Sequence, residues 1–231
     1  MKETQHPTEP PPVRGSWRAG ETITFGGLSD KTTGHMGYTA RVGPSVLVLH
    51  EAQGLDSGTK AYVDRLAEEG FTALAPDLYG ELHTRGAPNR TLDLQTALRS
   101  MRAAATHLTE NWHPRLGVVG FSEGAWLGTR CLDDVPRDAT VAYYGYDPDV
   151  VTLDRWHGPL LGHFAASDER PSWEEVNARF APLANAGHDV EWHRYEDTRR
   201  SFASPDDGTF DVDAAEMAWE RTIEALYYHL S

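Results

Sequence analysis

The sequence predicts an α/β fold, a three-layer sandwich with a mostly parallel central sheet between two layers of helices. Three observations support this prediction. Continuous apolar runs, such as residues 45–50 and 116–119, are typical of strands that are buried on both faces. Amphipathic segments alternate with these runs, and glycines or prolines separate the two kinds of segment. Alternating strands and helices form right-handed βαβ units, which place helices on both faces of a parallel sheet.

The individual elements can be assigned in order along the chain. Residues 22–25 and 38–41 alternate in polarity and predict an antiparallel pair at one edge of the sheet. Further strands are expected at residues 45–50, 71–75, 116–119, 139–144, 159–165 and 189–195. Helices are expected at residues 60–69, 91–109, from 123 onward, 173–186 and 214–230. Residues 1–20 are polar and rich in proline, which predicts a flexible tail, and residues 21–231 are expected to form a single domain.

Composition excludes several classes of function. The 231 residues carry a net charge of −14, which disfavours nucleic acids and anionic membranes as partners. No apolar run reaches the length of a membrane span, and no signal segment is recognisable, so a cytoplasmic protein is expected. The single cysteine, Cys131, excludes an internal disulfide and is expected to be a buried apolar residue. The histidines lack metal-ligand spacing. We expect a monomer or homodimer that takes a small-molecule substrate without a metal or cofactor.

The stretch around Ser122 is the most informative motif. Gly120-x-Ser122-x-Gly124 follows a buried strand and opens a helix, the pattern that mounts a serine on a sharp strand-to-helix turn. Glycines are needed on both sides because the backbone packs closely there. The start of the following helix supplies N–H groups and a positive dipole end where an oxyanion would form. Ser122 is therefore the candidate nucleophile.

Two carboxylates join Ser122 at predicted strand ends. Glu51 follows the first buried strand and Asp168 follows the strand at residues 159–165. In open parallel sheets, functional groups gather at the carboxyl ends of the strands. A serine hydrolase of this architecture has the chain order Ser, Asp, His, in which a base activates the serine and a carboxylate orients the base. Ser122 and Asp168 occupy the first two places of that order.

Five segments of the chain resemble the dienelactone hydrolase family of the α/β-hydrolase superfamily. They are residues 46–54, 65–79, 117–124, 162–168 and 195–202. The resemblance implies an α/β-hydrolase fold with eight strands and the cleavage of small esters or lactones. It implies that Glu51 contacts the nucleophile and influences its activation. It also implies that the backbone N–H groups of Ala52 and Glu123 stabilise the oxyanion.

Three departures from the family pattern concern the nucleophile and the substrate. The family's usual cysteine is replaced by Ser122, which depends more strongly on a base. Two family arginines, which would hold a substrate carboxylate by charge-assisted hydrogen bonds, are replaced by Glu81 and Ser204. Without this clamp, and with Glu81 repelling an anion, we expect a neutral substrate.

The fourth departure concerns the base. In the segment from Tyr195 to Phe202, Arg200 stands where the family has its catalytic histidine. An arginine stays protonated and cannot accept the serine proton, although it can pair with Asp168. His83, in the loop at the expected rim of the site, is the alternative base. The other histidines near the site are expected to be structural: His50, His163 and His193.

Three functions therefore remain open from the sequence. The first is hydrolysis of a neutral ester, lactone or related carbonyl compound by Ser122, with an incomplete triad. The second is a non-hydrolytic elimination, cyclisation or rearrangement in the same pocket, in which an enclosed Glu51 with a raised pKa serves as acid or base. The third is a catalytically silent binding protein.

Overall fold

A computed structural model describes residues 17–27, 31–39, 43–79 and 92–231. Within them, eight strands form one sheet in the order β1-β2-β4-β3-β5-β6-β7-β8. The strands are β1 (Trp17–Phe25), β2 (Thr32–Thr39), β3 (Ser45–Leu49), β4 (Thr72–Pro76), β5 (Leu116–Phe121), β6 (Ala139–Tyr143), β7 (Leu160–Ala165) and β8 (Val190–Tyr195). The helices are α1 (Ser57–Glu68), α2 (Leu94–Asn111), α3 (Glu123–Arg130), α4 (Trp173–Asn185) and α5 (Val212–Leu230). The predicted α/β sandwich with a mostly parallel sheet is confirmed.

Helices cover both faces of the sheet. Side chains alternate along β3, so Val46 and Val48 pack in a core with α1 and α5, whereas Leu47 and Leu49 pack in a second core with α2 and α3. A third core joins α4 to β7, with Phe164 packed among its members. The strands from β3 to β7 are buried along their whole length, which explains their continuous apolar runs.

The antiparallel part of the sheet lies at one edge, as expected. β1 pairs with β2 and β2 pairs with β4 in antiparallel register, whereas the remaining neighbours are parallel. β1 begins at Trp17, so residues 17–20, which were expected within the N-terminal tail, belong to the sheet. These residues are ordered because the backbone pairs with β2 and the amide of Gly20 donates to Asp64 Oδ1 on α1 at 2.8 Å.

Capping residues fix the helix starts, and α1 and α2 therefore begin at other residues than predicted. Asp56 accepts a hydrogen bond from the amide of Thr59 at 2.8 Å, so α1 begins at Ser57, three residues earlier than expected. Asp93 caps α2 in the same way. α4 begins with a capping box formed by Ser172 and Glu175, at the residue the sequence predicts.

His163 and Cys131 are both buried in the fold, and burial shifts the pKa of each. His163 is fully buried, with Nδ1 2.8 Å from the Tyr195 hydroxyl and Nε2 3.1 Å from Thr222 Oγ1. Burial lowers the pKa of His163 well below its ordinary value, so this ring is neutral. Cys131 is buried at the end of α3, and burial raises the pKa of its thiol to about 11. None of the helices in the described parts of the chain combines the length and apolar character needed to cross a bilayer.

Candidate active site

Ser122 lies on a tight turn between β5 and α3. Its φ of 53° and ψ of −111° are strained values for a residue with a side chain, and its amide donates to the carbonyl of Tyr143 at 2.9 Å. A Cβ on Gly120 would lie 2.4 Å from the Gly124 oxygen, and a Cβ on Gly124 would lie 2.2 Å from the Leu49 oxygen. The two glycines therefore let the turn close and let α3 approach the end of β3.

Arg200 connects Ser122 to Asp168. Its Nη2 donates to Ser122 Oγ at 2.8 Å, and its Nη1 lies 3.4 Å from Asp168 Oδ2. Nη1 also donates to the carbonyl oxygen of Arg170. The Asp168 side chain is 7% exposed, and burial raises its pKa, although the amide of Arg170 and the guanidinium of Arg200 oppose the rise. Because a guanidinium has only donors, the serine oxygen is the acceptor in this contact.

The loop between β8 and α5 holds Arg200 in place. The Arg200 carbonyl accepts a hydrogen bond from Thr209 Oγ1 at 2.6 Å, and Ser201 has a positive φ of 65°. At the start of the loop, the Thr198 hydroxyl donates to the Tyr195 carbonyl at 2.8 Å. The Thr198 carbonyl in turn accepts from the amide of Ser167 at 3.1 Å, which ties the loop to the residue before Asp168.

Glu51 lies at the end of β3 in a different environment. The Ser201 hydroxyl donates to Glu51 Oε2 at 3.2 Å, and no cation of the described residues forms an ion pair with this carboxylate. Burial raises the pKa of Glu51 from 4.5 to about 7, and the Ser201 hydroxyl opposes that rise. A carboxyl group with this pKa can both donate and accept a proton near neutrality.

Two aromatic side chains fix the turn that carries Glu51 and Ala52. The amide of Leu78 donates to His50 Nε2 at 3.0 Å, so Nδ1 carries the proton and donates to the Glu51 carbonyl at 2.8 Å. The Tyr79 hydroxyl donates to the Ala52 carbonyl at 2.9 Å. The same hydroxyl lies 3.3 Å from Glu123 Oε2. Tyr79 therefore links the turn at the end of β3 to the first residue of α3, where backbone N–H groups have no carbonyl partner within the helix.

Ser122 and Arg200 open onto a cleft of about 470 Å³. Trp126 and Tyr146 supply aromatic surface to this cleft. Among the residues that the structure describes, the charged ones that line it are Glu123, Arg170, Glu175, Arg179 and Arg200. With Asp168 paired to Arg200, these three arginines are matched by three carboxylates, so the described part of the cleft has no excess of either charge.

A second cavity, of about 170 Å³, lies between α1 and α5. Glu51 and Ser204 line this cavity, whereas Ser122 lines the cleft. Ser204, one of the two positions where the family has a clamping arginine, therefore faces a different space from the serine.

The structure brings most of the sequence-predicted site residues together. Arg200 contacts both Ser122 and Asp168. Glu51 contacts Ser201, the residue that follows Arg200. Tyr79 links Ala52 to Glu123. Glu81 and His83 lie outside the described residues. Ser201 and Tyr79 also contribute contacts to the site, although the sequence did not predict them. Their only signals were that Ser201 directly follows Arg200 and that Tyr79 ends one of the family-like segments.

An eight-stranded, mostly parallel sheet that carries a serine on a strained strand-to-helix turn defines an α/β-hydrolase fold. Within that class, the model of the dienelactone hydrolase family matches residues 33–230, and the chain belongs to this family of hydrolases.

Individual relatives are distant in sequence. The chain is 29% identical to Protein usf of Aquifex pyrophilus, over 92% of this chain and 100% of that protein. It is 24% identical to the carboxymethylenebutenolidase of Pseudomonas putida, over 79% of this chain and 85% of the relative. A dienelactone hydrolase-like promiscuous phosphotriesterase from metagenomic libraries has the same fold. Its TM-score is 0.74 at 20% identity, over 94% of this chain and 100% of that structure.

Proposed function

We propose that the protein cleaves a neutral ester, lactone or related carbonyl compound, with Ser122 as the nucleophile. The observation that carries this proposal is the 2.8 Å contact between Arg200 and Ser122 Oγ, on a strained turn that opens onto a cleft. Ser122 Oγ loses its proton and attacks the carbonyl carbon. The amides of Ala52 and Glu123 hold the oxyanion. The leaving alkoxide departs with a proton from water, and a second water hydrolyses the acyl-enzyme.

Arg200 changes how the serine is activated. A guanidinium beside Oγ stabilises the alkoxide, but it cannot take the proton. In this proposal, solvent hydroxide removes the proton and Asp168 keeps Arg200 in place. The rate of acylation therefore increases with pH and does not level off near pH 7. His83 is the alternative base, and a profile that levels off near the ordinary pKa of histidine would favour it.

The charge balance of the cleft supports a neutral substrate. Arg170 and Arg179 line the cleft together with Glu123 and Glu175, and Arg200 is paired with Asp168. An anionic substrate would gain attraction from two of these side chains and repulsion from two others. A neutral carbonyl compound avoids this conflict and can contact the Trp126 and Tyr146 rings.

Labelling with a serine-directed phosphonate tests the proposal. The protein is incubated with a neutral fluorophosphonate and, separately, with an activated ester, and its mass is then measured. One adduct that is absent from Ser122→Ala supports acyl transfer. Adduct formation at equal rates in both proteins contradicts it, as does the absence of any adduct up to pH 9.

The raised pKa of Glu51 supports a second candidate function. Its pKa of about 7 suits an acid or base that moves a proton on a substrate without an acyl-enzyme, as in an elimination or rearrangement. Under this candidate no phosphonate adduct forms, and turnover depends on Glu51 but survives Ser122→Ala. A protein that binds substrates but shows neither activity would be a silent binding protein.

A further inference from the structure

The second cavity has the size of a ligand site. Its volume of about 170 Å³ is close to that of an engineered protein cavity, roughly 150 Å³, that binds benzene. It is lined from α1, α5, the ends of β5 and β6, and the loop that follows Arg200. One aromatic ring with a short substituent matches this space.

Aromatic rings form much of the cavity wall and brace one another. The Tyr62 ring meets the Trp219 ring edge to face at 5.0 Å and the Phe121 ring at 4.8 Å. Phe121 in turn stacks on Tyr143 at 4.6 Å. All four residues line the cavity. Because each ring is held by its neighbours, the wall is formed before a ligand arrives, which limits the ordering that binding requires.

The charges on the wall are mainly negative. Glu51, Asp56 and Glu216 line the cavity, and Arg65 is the one basic residue among the described residues that line it. Arg65 is already engaged: its Nη1 donates to Glu216 Oε1 at 2.8 Å, and its guanidinium lies 4.1 Å from the centre of the Trp219 ring. This pair neutralises Glu216 and leaves Glu51 and Asp56 in excess.

We propose that this cavity is a binding site for a small organic cation, an ammonium group carried on a single aromatic ring or an apolar group of similar size. The aromatic rings that line the cavity attract a cation through their quadrupoles, and Glu51 supplies the counter-charge in a partly desolvated wall. An anion of the same shape meets the carboxylates instead. The site is separate from acyl transfer, because Ser122 lines the other cavity.

Three ligands of nearly equal size test this assignment: benzylammonium, benzyl alcohol and benzoate, titrated by calorimetry at pH 8. Glu51, with a pKa of about 7, is ionised there. We expect benzylammonium to bind at least about tenfold more tightly than benzyl alcohol, and benzoate not to saturate. Glu51→Gln should abolish the preference for the cation but keep binding of the alcohol.

Two matched substitutions of alanine by leucine locate the bound molecule. Ala215 on α5 lines the second cavity, and Ala178 on α4 lines the cleft. Ala215→Leu fills the cavity and should weaken benzylammonium at least about tenfold, whereas Ala178→Leu should leave its affinity unchanged. If Ala215→Leu does not fold, Ala61→Leu on the opposite wall replaces it.

Three results would overturn the proposal: no binding of benzylammonium, benzoate binding as tightly as benzylammonium, or affinity that responds to Ala178→Leu and not to the cavity-filling variant. The phosphonate test of Ser122 is independent of all three, so either proposal can fail alone.

Discussion

Asp168 and Glu51 lie at the carboxyl ends of two strands of one sheet, and their surroundings differ. Asp168 is paired with Arg200 at 3.4 Å and accepts a hydrogen bond from the amide of Arg170. Glu51 accepts a hydrogen bond from the Ser201 hydroxyl and, among the described residues, has no ion-pair partner. Burial raises its pKa to about 7, and the Ser201 hydroxyl and the charge of Arg200 oppose that rise only in part.

The difference shows what an arginine at position 200 does to the site. One guanidinium satisfies Ser122 and Asp168 together, which fixes the serine but leaves no base between the two side chains. Glu51, whose pKa is raised to about 7, lines the second cavity. The proton transfer proposed for Glu51 and the nucleophilic attack proposed for Ser122 therefore belong to different side chains, which can be substituted one at a time.

The largest effect is expected from Arg200→His, which places a base between Ser122 and Asp168. General base catalysis contributes about 10²–10⁴-fold, so we expect hydrolysis of an activated neutral ester to accelerate at least about 100-fold. The rate of the variant should level off above the pKa of the new histidine. Stopped-flow or steady-state assays between pH 5 and 9 measure both features.

Arg200→Gln is the matched control, because it removes the cation without supplying a base. If Arg200→His and Arg200→Gln have the same rate and the same pH profile, the missing base does not limit acyl transfer. The slow step then lies elsewhere in the site.

A second prediction concerns the effect of Glu51 on folding stability. The folded protein binds its proton more tightly than the unfolded chain, with a pKa of about 7 against an ordinary 4.5. Folding stability therefore decreases as pH rises from 4.5 to 7, and the loss persists above pH 7. Glu51→Gln removes this effect. We expect it to raise the free energy of unfolding by about 2–3 kcal/mol at pH 8 and to change it little at pH 4.5.

Urea denaturation at the two pH values measures the difference. An equal effect of Glu51→Gln at both pH values would show that packing and not ionisation determines the stability at this position.

A smaller effect is expected from Ser201→Gly, which removes the hydroxyl that stabilises the charged form of Glu51. Ser201 has a φ of 65°, a conformation that glycine adopts without strain, so the backbone should tolerate the change. Loss of a hydrogen bond to a charged group should raise the pKa of Glu51 further, by about one unit. The stability difference between Ser201→Gly and Ser201→Gly/Glu51→Gln stops changing with pH above that pKa, so the upper end of its pH-dependent range reports the shift. An upper end that stays in place contradicts the role of Ser201.

The sequence was most informative where structure is set locally. The turn at Ser122 depends on glycines within two residues of it, and the buried strands follow from their own apolar runs. β2 was predicted only from residue 38, yet it begins at Thr32. Its first half is held by tertiary contacts: Gly34 pairs with Pro76, and a Cβ at Gly34 would lie 2.6 Å from the Ala75 oxygen. Propensity in a polar stretch does not reveal such pairing.

The contacts within the site also differ in how far the sequence predicts them. The position of Arg200 in place of a histidine could be inferred from the family resemblance, because it depends on aligned segments. The contact between Ser201 and Glu51 joins residues 150 positions apart through a hydroxyl that no motif marks. The second cavity also depends on side-chain packing between α1 and α5, where Tyr62 meets Trp219, and periodicity does not specify such packing.

The smallest effect is expected from a substitution of Tyr79, which tests whether its hydroxyl positions the backbone of the site or contributes to ligand binding. Its hydroxyl holds the Ala52 carbonyl at 2.9 Å on the Glu51 side of the site and lies 3.3 Å from Glu123 on the Ser122 side. Tyr79→Phe should lower the free energy of unfolding by about 1 kcal/mol. It should also slow the chemical step of phosphonate labelling about three- to tenfold, because both oxyanion amides lose alignment.

The affinity for the phosphonate before reaction should stay unchanged, since Tyr79 does not line the cleft. Tyr146→Phe is the control, because it also removes a hydroxyl, but one that donates to the Glu175 carbonyl in the cleft wall. If both variants alter the initial affinity and leave the chemical step unchanged, Tyr79 does not position the amides. The turn at Ala52 would then be held by the bonds that His50 and the amide of Gly54 make to the Glu51 carbonyl.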